Sequence, residues 1–322
     1  MSDKNFLYAV AVVRANEANL LKEADLEQLI NAPDYKKAIS ILTDKGYSEP
    51  QGTDYSAMLD RELEKVWEFV TKNAPDADGL NTLAVKNDIQ NLKAVLKAEV
   101  MGENAREFLV KPSIIEPDEL LEKVSERRFE ELPEFISEAA EKAYNTITKT
   151  GNGQMCDIIV DEAALRAISD FAEKSDEPLL KEYAEAFCLS TDIKTAYRCM
   201  KTKKGRDFIK AALFGGSGID ESALADAAAE GGEAFFDYLK SNNLSDYASA
   251  LEKGASVFEK FCDDRLISIM KKAKMTAFGL SPVSAYYIAK ETEIKCLRII
   301  LSAKLSEASN DIIRERMREL YV

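Results

Sequence analysis

The sequence predicts an all-α chain of three similar helical domains produced by internal triplication. One helical motif occurs three times: NDIQNLKAVLKAE at 87–99, TDIKTAYRCMKTK at 191–203 and TEIKCLRIILSAK at 292–304. Its acid falls at Asp88, Asp192 and Glu293, spaced 104 and 101 residues apart, and an isoleucine follows each time. From Ile89, Ile193 and Ile294 the apolar positions recur at i, i+3, i+6 and i+7, one face of an α-helix. A period near 100 residues exceeds that of solenoid repeats and marks a small domain present in triplicate. The composition agrees, being rich in Ala, Glu, Lys and Leu with 14 Gly and 8 Pro in 322 residues, which favours helix throughout.

In chain order, residues 5–22 form an amphipathic helix with Phe6, Val10 and Val13 on one face. Asp25 opens a helical segment that Pro33 interrupts, with Asp34 as a new N-cap and Lys45-Gly46-Tyr47 as a stop. A helix at Tyr55–Thr71 carries Leu59, Leu63, Val66, Trp67 and Val70 as its core stripe. A turn at Pro75–Gly79 leads into the helix carrying Asp88. The second round restarts at Pro117, a residue suited to a helix start. It runs through Phe129–Ile136, a helix around Ala139–Thr148, a Gly151-Asn152-Gly153 turn and a helix at 157–174. Ser175–Pro178 then starts the helix carrying Asp192. The third round opens at Asp220, passes Phe235–Leu239 and the helix FEKFCDDRLISIMKK, and restarts at Ser281-Pro282 toward Glu293.

Two further landmarks keep the same order. An opening acid sits at Asp25, Asp118 and Asp220, and an acid of the penultimate helix at Asp60, Asp161 and Asp263. The expected domains are therefore 1–112, 113–215 and 216–322. In the second round Ala196 and Tyr197 weaken the helical stripe relative to the other two.

The recurring acids border that stripe. Positions i±4 share a helix face, and they are Ala84 and Leu92 for Asp88, Cys188 and Ala196 for Asp192, and Ala289 and Leu297 for Glu293. Unpaired burial would cost on the order of several kcal/mol. The expectation is a structural role for all three, pairing with a cation or capping a neighbouring helix inside each repeat.

Bulk chemistry narrows the function. With 43 basic and 57 acidic residues the net charge is −14, which disfavours nucleic acid and anionic headgroups as direct partners. There is no histidine, so the usual general base, the His-containing triads and the commonest zinc ligand are missing. The five cysteines have no CxxC spacing; Cys188, Cys199 and Cys296 fall in helical apolar patterns and read as buried reduced thiols. The apolar run Phe6–Val13 is too short to span a bilayer and is cut by Arg14 and Glu17, and it lacks a convincing cleavage site. The expectation is a soluble, cytoplasmic protein.

Three motifs invite sharper readings. Asp263-Asp264 and Asn310-Asp311 resemble the Mg²⁺-binding clusters of class I terpenoid synthases, since hard cations take oxygen ligands. Ile267 stands where the first cluster needs an acid, while Arg314 and Arg318 stand where the second needs a hydroxyl and an acid. Gly215-Gly216-Ser217-Gly218 has neither a following Lys-Ser/Thr nor a preceding strand, and reads as linker. The clusters Lys201–Arg206 and Lys271–Lys274 read first as helix C-terminal charges complementing the dipole, with contact to acidic protein surfaces or headgroups as the alternative. No catalytic, cofactor or metal residue is assigned.

The stretch Tyr8–Leu21, YAVAVVRANEANLL, and the stretch Ser281–Tyr321, SPVSAYYIAKETEIKCLRIILSAK through IIRERMRELYV, resemble the C subunit of the V/A-type (vacuolar/archaeal-type) rotary ATPases of bacteria and archaea, related to the d subunit of vacuolar ATPases. Tyr8, Arg14, Glu17, Leu20 and Leu21 match at the N-terminus; Ala289, Lys290, Glu293, Leu297, Arg298, Lys304 and Arg314–Tyr321 match at the C-terminus. The resemblance implies a funnel of three helical domains about a pseudo-threefold axis. It also implies a non-catalytic socket of the central stalk, joining the rotor shaft subunits to the membrane proteolipid ring, peripheral on the membrane through that complex. The residues alone leave a second reading open, an unrelated all-helical cytoplasmic scaffold or adaptor.

Overall fold

The computed structural model of the chain describes residues 6–75, 77–216 and 218–322. Asn5 of the predicted first helix, Asp76 of the predicted turn and Ser217 of the predicted linker lie outside the described residues. The described chain is all-α, apart from an isolated antiparallel bridge between Gln51 and Asp54. The helices are α1 Leu7–Glu17, α2 Glu23–Ile30, α3 Tyr35–Asp44, α4 Tyr55–Asn73, α5 Asn81–Met101, α6 Pro117–Ser125, α7 Glu134–Thr150 and α8 Gly153–Ser175. They continue as α9 Pro178–Lys201, α10 Arg206–Ala211, α11 Glu221–Glu230, α12 Gly232–Ser241, α13 Ser245–Lys253, α14 Ala255–Lys271, α15 Ser281–Leu305 and α16 Asn310–Arg316. Among the described residues no helix is long and apolar enough to cross a membrane.

Local chemistry sets many of these ends. Asp34 accepts the Lys37 amide at 2.8 Å and Asp220 the amides of Ser222 and Ala223 at 3.0 Å, each supplying an acceptor to a first-turn donor with no intrahelical partner. Asn152 does the same for Met155, so the predicted turn at 151–153 is the boundary between α7 and α8. Pro117, Pro178 and Pro282 stand in first turns, where a missing N–H costs nothing. The first helix is shorter than predicted. It stops at Glu17, and Leu20 and Leu21 turn inward to become buried.

The chain divides into two compact units, residues up to Ala77 with Ser249–Val322, and Asp78–Ala248. In the first, α15 is the central element. Ser281 to Lys290 are buried without interruption, as a helix surrounded on all sides must be. It packs against α1, α2, α3 and α4 from the start of the chain and against α14 and α16 from its end. Trp67 of α4 meets Tyr287 edge-on at 5.0 Å, and Phe69 meets Tyr286 at 5.9 Å. In the second unit α5 packs against α6, α7 and α8, and α9 against α8, α10 and α11. Ile89, Leu92, Val95 and Leu96 of α5 share one core with Leu120, Val124, Ile136 and Val160. Ala196 is fully buried, and its neighbour Tyr197 packs on Phe235 and Phe236 of α12 at 6.1 and 6.4 Å. Those two rings supply bulk where the α9 stripe is weak.

Candidate functional site

The three recurring acids are buried, Asp88 to 0 % exposure and Asp192 and Glu293 to 1 %. In the second unit Asp88 accepts the amides of Ile114 and Ile115 at 2.9 and 2.8 Å, on the segment entering α6. Asp192 accepts the amides of Phe214 and Gly215 at 2.9 and 3.2 Å, on the segment leading to α11. Both carboxylates thus fix the path of a chain segment by satisfying donors that no helix satisfies. Burial pushes the Asp88 carboxyl up to about 6, against the two amides, which lower it.

In the first unit Glu293 plays a comparable part with different donors. Its Oε2 accepts the Leu21 amide at 2.6 Å, just before α2. Its Oε1 accepts the Tyr47 hydroxyl and the Lys290 ammonium, the latter at 2.5 Å, and Lys290 Nζ also donates to the Tyr47 oxygen at 2.8 Å. Tyr47 and Lys290 are themselves buried. Burial and the neighbouring carboxylate push the Tyr47 phenol far above its ordinary range, so it serves as a donor.

The other residues picked out by resemblance lie mostly on the same joint between chain ends. Arg298, one turn beyond Glu293, pairs with Asp60 and donates to Ser56 of α4 at 2.7 Å. Arg314 donates to Glu27 of α2 and to Asn31 just past its end, each at 3.0 Å. Lys304 Nζ donates to the carbonyls of Ile30 and Ala32 at 2.6 and 2.7 Å, capping the C-terminal end of α2. Leu297 is fully buried. Arg14 pairs with Glu17 at 2.7 Å and holds the carbonyls of Ala273 and Thr276 at 2.5 and 3.1 Å, its guanidinium spanning α1 and the turn after α14. Tyr8 stands apart, 70 % exposed.

The remaining sequence candidates have structural partners. Asp161 pairs with Lys93 of α5. Asp263 is half-buried, which raises a carboxyl, but Lys295 at 3.0 Å and Arg318 at 2.9 Å bring it below its ordinary value. Asp264 takes Lys260 and the Glu319 amide at 2.9 and 2.7 Å. Lys274 lies over the Tyr321 ring, Lys271 pairs with Glu319, and Arg206 pairs with Asp226. Cys156, Cys188, Cys199 and Cys296 are buried free thiols. Tyr47 is the functional side chain that sequence reasoning missed. Its position after Lys45-Gly46 signals only a helix stop, and nothing local announces a partner 246 residues away.

Tyr8 aside, the residues that carry the resemblance therefore build one joint, in which the last long helix and its successor grip α2, α4 and the turns before α2 and after α3 through polar contacts. The sequence pattern of the family described as ATP synthase (C/AC39) subunit matches residues 9–316. The chain belongs to that family. Among its relatives, the V-type sodium ATPase C subunit of Enterococcus hirae is 23% identical over 318 residues, covering 96% of this chain and 97% of the relative. The A-type ATP synthase C subunit of Methanocaldococcus jannaschii is 23% identical over 349 residues, covering 98% and 86%. That of Methanobrevibacter smithii is 26% identical over 333 residues, covering 93% and 84%. Membership spans both units, so the α15 joint and the α5 and α9 caps all lie inside the shared region.

Proposed function

We propose that the protein is a non-catalytic central-stalk subunit of a V/A-type rotary ATPase or ATP synthase, a socket coupling the rotor shaft to the membrane proteolipid ring for ion transport. The family match across residues 9–316 is the observation that carries this reading. The names of the relatives, C subunits of a V-type sodium ATPase and of A-type ATP synthases, point the same way. In this reading the chain supplies shape and rigidity, and nucleotide and ion chemistry belong to its partners.

Three helical repeats, 1–112, 113–215 and 216–322, set about a pseudo-threefold axis form the funnel that receives the shaft. Asp88, Asp192 and Glu293 are equivalent positions in those repeats, and their shared habit of taking the amide of a segment leading to an opening helix supports the equivalence. Lys93 and Arg298, each five residues beyond its acid, pair with Asp161 and Asp60, two of the penultimate-helix acids, which supports it further. A coupling under torque needs its own ends tied together, and the α15 joint supplies that. With a net charge of −14, attachment at the cytoplasmic face of the membrane runs through protein partners.

Copurification with the shaft subunits and with the proteolipid ring tests the reading. Retention of both is expected, and loss of both under conditions that keep the chain folded would overturn it.

A further inference from the structure

The three carboxylate joints differ in how much chain they close. Asp88 reaches amides 26 and 27 residues downstream, and Asp192 amides 22 and 23 residues downstream. Glu293 reaches Leu21 across 272 residues and Tyr47 across 246. Closure probability falls as roughly the 3/2 power of loop length, so a 272-residue loop closes about thirtyfold less readily than a 26-residue one. That joint also has the strongest chemistry: a phenol and an ammonium converge on Glu293 Oε1 beside the amide bond to Oε2, in a setting from which water is excluded.

We infer that Tyr47, Lys290 and Glu293 form a latch between the ends of the chain. It closes when residues 21–73 dock on α15, and its opening releases that segment as one cooperative unit while residues 78–248 stay folded. Geometry supplies the unit: α2, α3 and α4 each pack on α15. Tyr47 lies between α3 and α4, so one contact holds the segment near its middle while Leu21 holds it at its start. Lys304, Arg298 and Arg314 add contacts along the same edge, to Ala32, Asp60 and Glu27, and these open with the latch. Opening bares the faces of Tyr286 and Tyr287 that Phe69 and Trp67 of α4 cover, so the open form is exposed to proteases and to association. The latch stands independently of the rotary reading, because its terms are internal to the chain.

Amide hydrogen exchange on the full chain, followed by mass spectrometry, tests the proposal. With Tyr47→Phe, which removes two hydrogen bonds and keeps the ion pair, exchange in α2, α3 and α4 should rise about tenfold together. With Glu293→Gln, which leaves Lys290 buried without its counterion, it should rise about a hundredfold or more. Exchange in α7 and α8 should stay within a factor of two in both variants. Equal acceleration in both units would overturn the latch in favour of a global core contact, as would unchanged exchange in α2–α4. Should Glu293→Gln fail to fold, the milder Tyr47→Phe alone decides.

Discussion

Glu293 accepts the backbone amide of Leu21 at 2.6 Å, so a carboxylate on the last long helix fixes where the first segment of the chain turns. Both residues are buried. A carboxylate in such a setting persists only with full compensation, and here an amide, a phenol and an ammonium provide it.

Removing the ammonium should therefore cost far more than a surface ion pair is worth. Lys290→Met leaves Glu293 buried without its cation, and the expected loss is about 3–5 kcal/mol in urea unfolding. The double variant Lys290→Met with Glu293→Gln should lose less than the sum of the two single variants, by about 1–3 kcal/mol. Strict additivity would mean that the two groups do not act as a pair.

The Asp60–Arg298 pair lies in the same unit but is more than one-third exposed on both sides. Solvent screens it, so a double-mutant cycle with Asp60→Ala and Arg298→Ala should give a coupling of about 0.2–1 kcal/mol. The coupling should shrink further as salt is raised. A value near that of the Lys290–Glu293 pair would show that packing of the Arg298 stem, and not charge, holds α4 to α15.

Asp88 has a pH signature. Burial raises its carboxyl to about 6 in the folded chain, against about 3.9 when unfolded. A group raised on folding contributes stability that is full below the unfolded value and is lost as pH rises through the folded one. The expected loss between pH 4 and pH 7 is about 2 kcal/mol relative to Asp88→Asn, which does not titrate. Urea unfolding of both proteins across that range measures it. An advantage of the native protein that grew with pH would mean that the Ile114 and Ile115 amides outweigh burial.

What the sequence made legible follows from what is local in the physics. The acid-isoleucine recurrence at 88, 192 and 293, with its helical stripe, located three buried helices, because period and burial are both written within a few turns. Pro117, Pro178 and Pro282 marked three helix starts for the same reason. The donors that meet the acids were not legible. Which amide faces Glu293 depends on a chain reversal 272 residues earlier, and apolar periodicity does not encode it. The sequence predicts a first helix running to Lys22, because Leu20 and Leu21 continue the apolar pattern. They are apolar for burial after the turn, and a pattern cannot separate the two causes. Packing partners were equally hidden: a sequence period says where a motif recurs, and α5 packs on helices that follow it in the chain.

Lys304 gives the last test, because it shows one side chain doing for α2 what backbone cannot. Its ammonium meets the carbonyls of Ile30 and Ala32 at 2.6 and 2.7 Å and the Asn310 side-chain oxygen at 3.1 Å. The last carbonyls of a helix have no intrahelical donor, and a cation there also complements the dipole. Burial and the Arg314 charge lower the Lys304 pKa, so the placement has a cost that the carbonyls offset. Lys304→Met keeps an unbranched apolar stem and removes the donors. It should destabilise the protein by about 1–2 kcal/mol and raise amide exchange first in α2, before α4. A loss spread evenly over α2, α3 and α4 would mean that Lys304 contributes packing along α15 and does not act as a cap.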